Sequence, residues 1–216
     1  MRDDKATGTI SFFEDKKAHT YLIADATPAY KGRLKSFNRH ILFLRPGIFL
    51  LLDQLEAPSE ANFQWMLHAF DKMKIADRKV ISKKDGARLS IWFESSQNLE
   101  ISQTDKFDTP YNTGIPEEFH KKVENHWHVT VETRGKTLKS RIAAIVVVDT
   151  LKDKIEIELL SSKGWFGVKA NGSFGQVEGW IQFEPGSKIP TDYINIPSAA
   201  GAILCAKDME NKLIYF

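Results

Sequence analysis

SFNRHILFLRPGIFLLLDQLEAPSEANFQWMLHAF, residues 36–70, contains three short apolar runs. Ile41–Leu44 and Ile48–Leu52 are split by Pro46-Gly47, and Phe63–Phe70 follows a polar loop rich in turn formers. Runs of this length, rich in Ile, Leu and Phe and bounded by Pro, Gly, Ser and Asn, read as strands. Strand side chains alternate between faces, so Phe49, Leu51 and Asp53 share one face and Ile48, Leu50 and Leu52 the other. Both faces are apolar, which predicts a central strand covered on two sides. Asp53 ends that strand on a face that should be buried. In the next strand Gln64, Met66, His68 and Phe70 share a face. A hairpin centred between Glu60 and Ala61 would set Asp53 opposite His68, with Cβ atoms about 4.5–5.5 Å apart. A carboxylate and an imidazole at that spacing can hydrogen-bond or share a metal. The plainer alternative is a strand-end Asp at the start of a loop and a partly buried His with its hydrogen bonds met.

Working outward, residues 7–13 and 19–24 read as strands joined by the charged turn EDKK. DATPAYKG (25–32) is a loop that carries Tyr30. Arg33, Lys35, Arg39 and His40 make a basic approach to the central strand. This is either a solvated face or a contact for a glycan carboxylate or sulfate, to which the planar fork of arginine is suited. In KVISKKDGARLSIWFES (79–95), Asp85-Gly86 predicts a tight hairpin turn. Residues 105–118 form a long irregular loop, where Phe107 and Tyr111 are sugar-stacking candidates or core anchors. After His120, the strand HWHVTVET places His126, His128, Thr130 and Glu132 on one face and Trp127, Val129 and Val131 on the other. That face is either a polar outer surface or a second metal set of His126, His128 and Glu132. SRIAAIVVVD (140–149) reads as a buried strand. Five or six short strands follow from Lys154, with a tight turn expected around Asn171-Gly172-Ser173 and a loop at Pro185-Gly186 and Pro190.

The pattern is one of roughly a dozen short strands with no long amphipathic helix. The fold expected is all-β: an antiparallel β-sandwich, supersandwich-like, over residues 1–160. Residues 161–216 would add a small C-terminal β-sheet extension, separate or closing the same sandwich. At 216 residues, 42% hydrophobic and 27% charged, the composition is that of an ordinary globular chain. A net charge of +2 gives no reason to invoke nucleic acid or an acidic membrane. Cys205 is the single cysteine, so no intrachain disulfide can form. No apolar stretch is long enough to span a bilayer, and MRDDKATGTI lacks the apolar core of a signal peptide. No G-x-S-x-G, P-loop, C-x-x-C or H-E-x-x-H motif occurs, so those chemistries lack their usual parts. Trp65, Trp92, Trp127, Trp165 and Trp180 are either core residues or stacking platforms for sugar rings.

The segment ATPAYKGRLKSFNRHILFLRPGIFLLLDQLEAPSEANFQWMLH, about a fifth of the chain, resembles the heparinase II/III-like family of polysaccharide lyases. The resemblance rests on Arg39, the run Ile41–Leu44, the Phe49–Asp53 strand and Phe63-Gln64-Trp65-Met66-Leu67-His68, with a weaker echo in HWHVTVET. It implies β-elimination on a uronic-acid polysaccharide, whether heparin-like, alginate-like or another uronide. In metal-binding members the Asp and the His bind zinc with an upstream His, which carries over to Asp53 and His68 alone. The site would be incomplete here, because no H-x-H-x-D-like motif precedes residue 36 and the flanks of His19 do not match. The resemblance also implies a missing N-terminal α/α toroid that supplies the catalytic Tyr or His. Some relatives use a Tyr near this strand, for which Tyr30 is the candidate; Arg33 and Arg39 are the candidate substrate contacts. The expectation is a C-terminal β part, inactive alone, from a periplasmic or secreted lyase whose native start is not Met1. A non-catalytic carbohydrate-binding or dimerisation module, a homodimer in the latter case, is the alternative.

Overall fold

The computed structural model describes residues 7–106, 116, 118, 126–188, 204–210 and 212–216. Phe107, Tyr111, His120 and Pro190 lie outside the described residues. The strands are β1 (Thr9–Asp15), β2 (His19–Asp25), β3 (Ser36–Leu44), β4 (Ile48–Ala61), β5 (Gln64–Ala69), β6 (Lys74–Ala76), β7 (Lys79–Lys84) and β8 (Ala87–Ser95). They continue with β9 (Leu99–Thr104), β10 (Trp127–Thr133), β11 (Thr137–Thr150), β12 (Glu156–Ser162), β13 (Trp165–Gly172), β14 (Gly175–Gln182), β15 (Leu204–Lys207) and β16 (Leu213–Tyr215). A short 3-10 turn, Thr27–Tyr30, leads into β3.

The expected all-β antiparallel sandwich is what forms, built as three layers. An eight-stranded central sheet runs β1-β2-β3-β4-β11-β8-β7-β6. A three-stranded sheet, β5-β10-β9, covers part of one face, and a five-stranded sheet, β12-β13-β14-β15-β16, covers the other. The apolar alternation of β4 explains the layering. Leu50 and Leu52 point into one core with Leu42, Ile145, Val168 and Ile181. Leu51 and Leu55 point into a second core with Phe37, Trp65, Val129, Val131 and Ile142. Leu50 and Leu52 are fully buried, and each such leucine contributes about 1.5–3 kcal/mol. A strand with two greasy faces is stable only between two layers, and β4, flanked in its sheet by β3 and β11, has a core on each face.

The turns hold register. Asp85-Gly86 makes the two-residue turn read from the sequence, with Lys84 opposite Ala87 and both turn residues at positive φ. Gly47, between β3 and β4, has another role: a Cβ there would sit 2.3 Å from the Val148 carbonyl oxygen. Only a glycine lets β11 pass so close. The expected turn at Asn171-Gly172-Ser173 lies slightly later. Asn171 and Gly172 are the last residues of β13, Gly172 pairs with Gly175, and Ser173 and Phe174 make the turn.

Candidate functional site: the Tyr30–Arg39–Asp53 cleft

The hairpin read across Glu60 and Ala61 does not form. β4 runs unbroken to Ala61 and pairs with β3 and β11, whereas β5 pairs with β10 in a different sheet. The chain changes layers at Asn62 and Phe63. There Phe63 and Thr133 exchange bonds: the Phe63 N–H donates to Thr133 Oγ1 at 2.9 Å, and the Thr133 N–H donates to the Phe63 carbonyl at 3.0 Å. Asp53 therefore faces the core between the layers, while Gln64, Met66 and His68 form the exposed face of β5 and Trp65 turns inward. Asp53 and His68 do not oppose each other.

Asp53 lies opposite Arg39 of β3 instead. The Arg39 Nε–H and Nη2–H donate to the two Asp53 oxygens, each at 2.6 Å. Both carboxylate oxygens are thereby taken by one guanidinium, the geometry for which the arginine fork is shaped. The Asp53 side chain is 4% exposed and that of Arg39 34%. Burial pushes the Asp53 carboxyl up, and the hydrogen bonds and charge of Arg39 oppose that rise. Burial works in turn against the Arg39 charge, but the Asp53 carboxylate outweighs it and holds the guanidinium protonated. The Arg39 Cζ also lies 5.6 Å from the Phe37 ring and 5.8 Å from that of Trp65, so the cation is seated on two aromatic faces.

This ion pair lines a cleft of about 620 Å³ bounded by the 3-10 turn, β3, β4 and the start of β5. Tyr30, Arg33, Phe37, Asn62, Gln64 and Met66 line its walls. Tyr30 is the last residue of the 3-10 turn, stands edge-on to Phe37 at 5.5 Å and lies within electrostatic reach of Arg39. Arg33 is exposed on the rim. Four residues singled out from the sequence, Tyr30, Arg33, Arg39 and Asp53, thus meet in one place. The basic approach itself is divided between faces. Lys35 pairs with Glu56 at 3.6 Å, and His40 is buried on the opposite side of β3.

The histidine face forms as read. His128 lies directly across from His68, with ring centroids 5.6 Å apart. Glu132 lies four residues further along β10, about 13 Å away at strand rise. Its carboxylate accepts from Asn62 Nδ2 and Gln64 Nε2, both at 3.0 Å, and these bonds hold it below the ordinary carboxylate range. His126 packs edge-on against Phe70 at 4.3 Å. Among the described residues no three of His, Cys, Asp and Glu gather in metal-binding reach. Asp53 is engaged by Arg39 and lies in a different sheet from His68, and Glu132 is engaged by Asn62 and Gln64 rather than drawn toward His126 and His128. The tryptophans are not open platforms either. Trp65, Trp165 and Trp180 are buried, and Lys79 and Lys72 lie over Trp92 and Trp127 at 4.5 and 5.0 Å.

The cleft residues missed in the sequence are Phe37, Asn62 and Gln64. The Arg39–Asp53 pair was legible in principle: a hairpin centred on Pro46, the midpoint of the first loop, puts positions 39 and 53 opposite each other.

No family model and no curated protein matches this sequence. Solved structures do match. The chain is similar to a crystal structure of heparinase III, at 11% identity and a TM-score of 0.53, over 81% of this chain and 27% of that one. A second heparinase III gene product matches at 8% identity and a TM-score of 0.54, over 83% and 28%. The heparan sulfate lyase HepC from Pedobacter heparinus matches at 15% identity and a TM-score of 0.51, over 84% and 29%. The likeness is one of fold. This chain spans less than a third of the length of those lyases. Among the described residues no helix is long and apolar enough to cross a membrane.

Proposed function

We propose that this chain is the β-layered part of a polysaccharide lyase acting by β-elimination on a uronic-acid glycan, and that the Tyr30–Arg33–Arg39 cleft forms one wall of the substrate site. The observation that carries this reading is the convergence of both candidate substrate arginines on one open cleft. The names of the fold neighbours, heparinase and heparan sulfate lyase, favour a uronate glycan as the ligand. In β-elimination a base removes the proton next to the uronate carboxylate, and negative charge builds on that carboxylate. Hydrogen-bond donors fixed before the reaction stabilise that charge without reorganising. Arg39 is fixed in that sense, because Asp53 consumes two of its five N–H donors and leaves three. Arg33, exposed on the rim, adds a second cation. Tyr30 supplies a phenol at the same lip. The base that takes the proton comes from the longer protein, so this chain alone binds but does not turn over.

The test is titration of the chain with uronic-acid oligosaccharides, heparosan-type and alginate-type, by calorimetry. Arg33→Ala should weaken binding about tenfold, equivalent to about 1.4 kcal/mol. Parent binding that is undetectable, or unchanged in Arg33→Ala, overturns the cleft assignment. Appearance of unsaturated uronate with the chain alone overturns the inactivity.

A further inference from the structure

We infer that the face of the central sheet opposite this cleft carries a second site, which binds a sugar-borne oxyanion, carboxylate or sulfate, through Arg141, Gln54 and Asn38. These three residues are directly paired neighbours across β11, β4 and β3. Each sits one position along its strand from the row Ile142, Asp53 and Arg39, so their side chains point the other way. With Ser36, Lys139 and Ser140 they line a groove of about 440 Å³.

The groove is built for donors. Arg141 is half-buried, and among the described residues no carboxylate pairs with it. Burial holds its guanidinium below its ordinary value with no acidic group offsetting the cost. A cation in that condition is stabilised by any anion that reaches it. Its orientation is set from behind: Nη1–H donates to Gln182 Oε1 at 3.0 Å, and Gln182 Nε2–H donates to the Ser187 carbonyl at 3.0 Å. Gln182 is buried, so this brace is not loosened by solvent.

Gln54 is oriented in the same manner. Tyr21 Oη–H lies 2.7 Å from His40 Nδ1, and His40 Nε2 lies 3.3 Å from Gln54 Oε1. The chain is satisfied when the tyrosine donates to Nδ1 and Nε2–H donates to the amide oxygen. The amide oxygen of Gln54 is then occupied, and its NH₂ is left as the donor into the groove. Glu56, the carboxylate in the lining, is engaged by Lys139 at 3.1 Å and Lys35 at 3.6 Å. It is neutralised locally and does not cancel Arg141. A braced guanidinium, an oriented amide and the adjacent Asn38 amide on a three-strand ledge are the elements of an oxyanion site.

The oxyanion site stands apart from the cleft; that a sugar carries the oxyanion rests on the proposed function, and the test separates the two. The full chain is titrated with glucuronate, inorganic sulfate and neutral glucose while the side-chain amide resonances of Gln54 and Asn38 are followed by NMR. Glucuronate or sulfate should shift both amides and glucose should not; whichever anion acts identifies the group. Arg141→Gln should weaken the response at least about tenfold, and Gln54→Glu, which offers Arg141 an internal partner and is read at the Asn38 amide, should do the same if the first variant folds poorly. Arg33→Ala should leave it unchanged. Unshifted amides with both anions, an equal response to glucose, or full retention in a folded Arg141→Gln or Gln54→Glu chain would overturn the proposal.

Discussion

Removing the Arg39 side chain charge by Arg39→Met leaves the Asp53 carboxylate buried without its fork. Loss of one partner from a fully buried ion pair costs about 3–5 kcal/mol. Arg39 is about a third exposed, so water recovers part of that loss, and about 2–3 kcal/mol is the discounted expectation. For a chain of this size that lowers Tm by about 4–12 °C. The pH dependence is diagnostic. Without Arg39, burial acts unopposed on Asp53, so its folded value rises further above the unfolded value of about 3.9. The folded variant then binds more protons than the unfolded one between those values, and its stability increases as pH falls through that interval. The gap between parent and Arg39→Met should therefore narrow toward pH 4. Urea unfolding at several pH values measures it. Adding Asp53→Leu to Arg39→Met should restore much of the loss, because the uncompensated charge is gone. A variant as stable as the parent at pH 7, or a gap that widens in acid, would refute the reasoning.

Three further outcomes are expected. Gly47→Ala should cost about 1–3 kcal/mol by thermal denaturation, because its Cβ would meet the Val148 carbonyl at 2.3 Å and push β11 off the β3–β4 turn. Burial alone would raise the Asp149 carboxyl, but the Arg88 fork and the Ile155 N–H at 3.0 Å overcome it and hold the group below its ordinary value. Its contribution is present above pH ~4 and lost as pH falls through the folded value. Asp149→Asn should then cost about 1–2 kcal/mol at neutral pH and flatten the acid limb of urea-midpoint curves. His40 is held neutral, first by burial and then by the charge of Arg141, so its folded value lies below its unfolded value of about 6.5. Stability should be full above that pH and decline as pH drops below it, whereas His40→Phe should remove this part of the slope.

Much of the layering can be read before any coordinates. The two greasy faces of Ile48–Leu52 require a cover on each side, and β4 has both. Asp85-Gly86 demands a hairpin because its backbone signs suit few other turns. The alternation of HWHVTVET separates histidines from valines whichever partner the strand takes. The Asp53–His68 pairing fails for a reason that no local pattern carries. Residues 57–61 look like a loop, Ala-Pro-Ser-Glu-Ala, yet they continue β4 as strand. The chain then leaves the sheet because Thr133, far away in sequence, captures both backbone groups of Phe63.

Alternation and turn chemistry are short-range properties, so residue order alone settled which side chains share a face, that Asp85-Gly86 would reverse the chain, and that Asp53 would be buried. Which sheet a strand joins is a choice among distant partners of nearly equal local merit, and only packing makes it. That choice gave Asp53 an arginine rather than a histidine. It also set Arg141 on the reverse of the same ledge, where nothing in its neighbourhood of sequence marks it out.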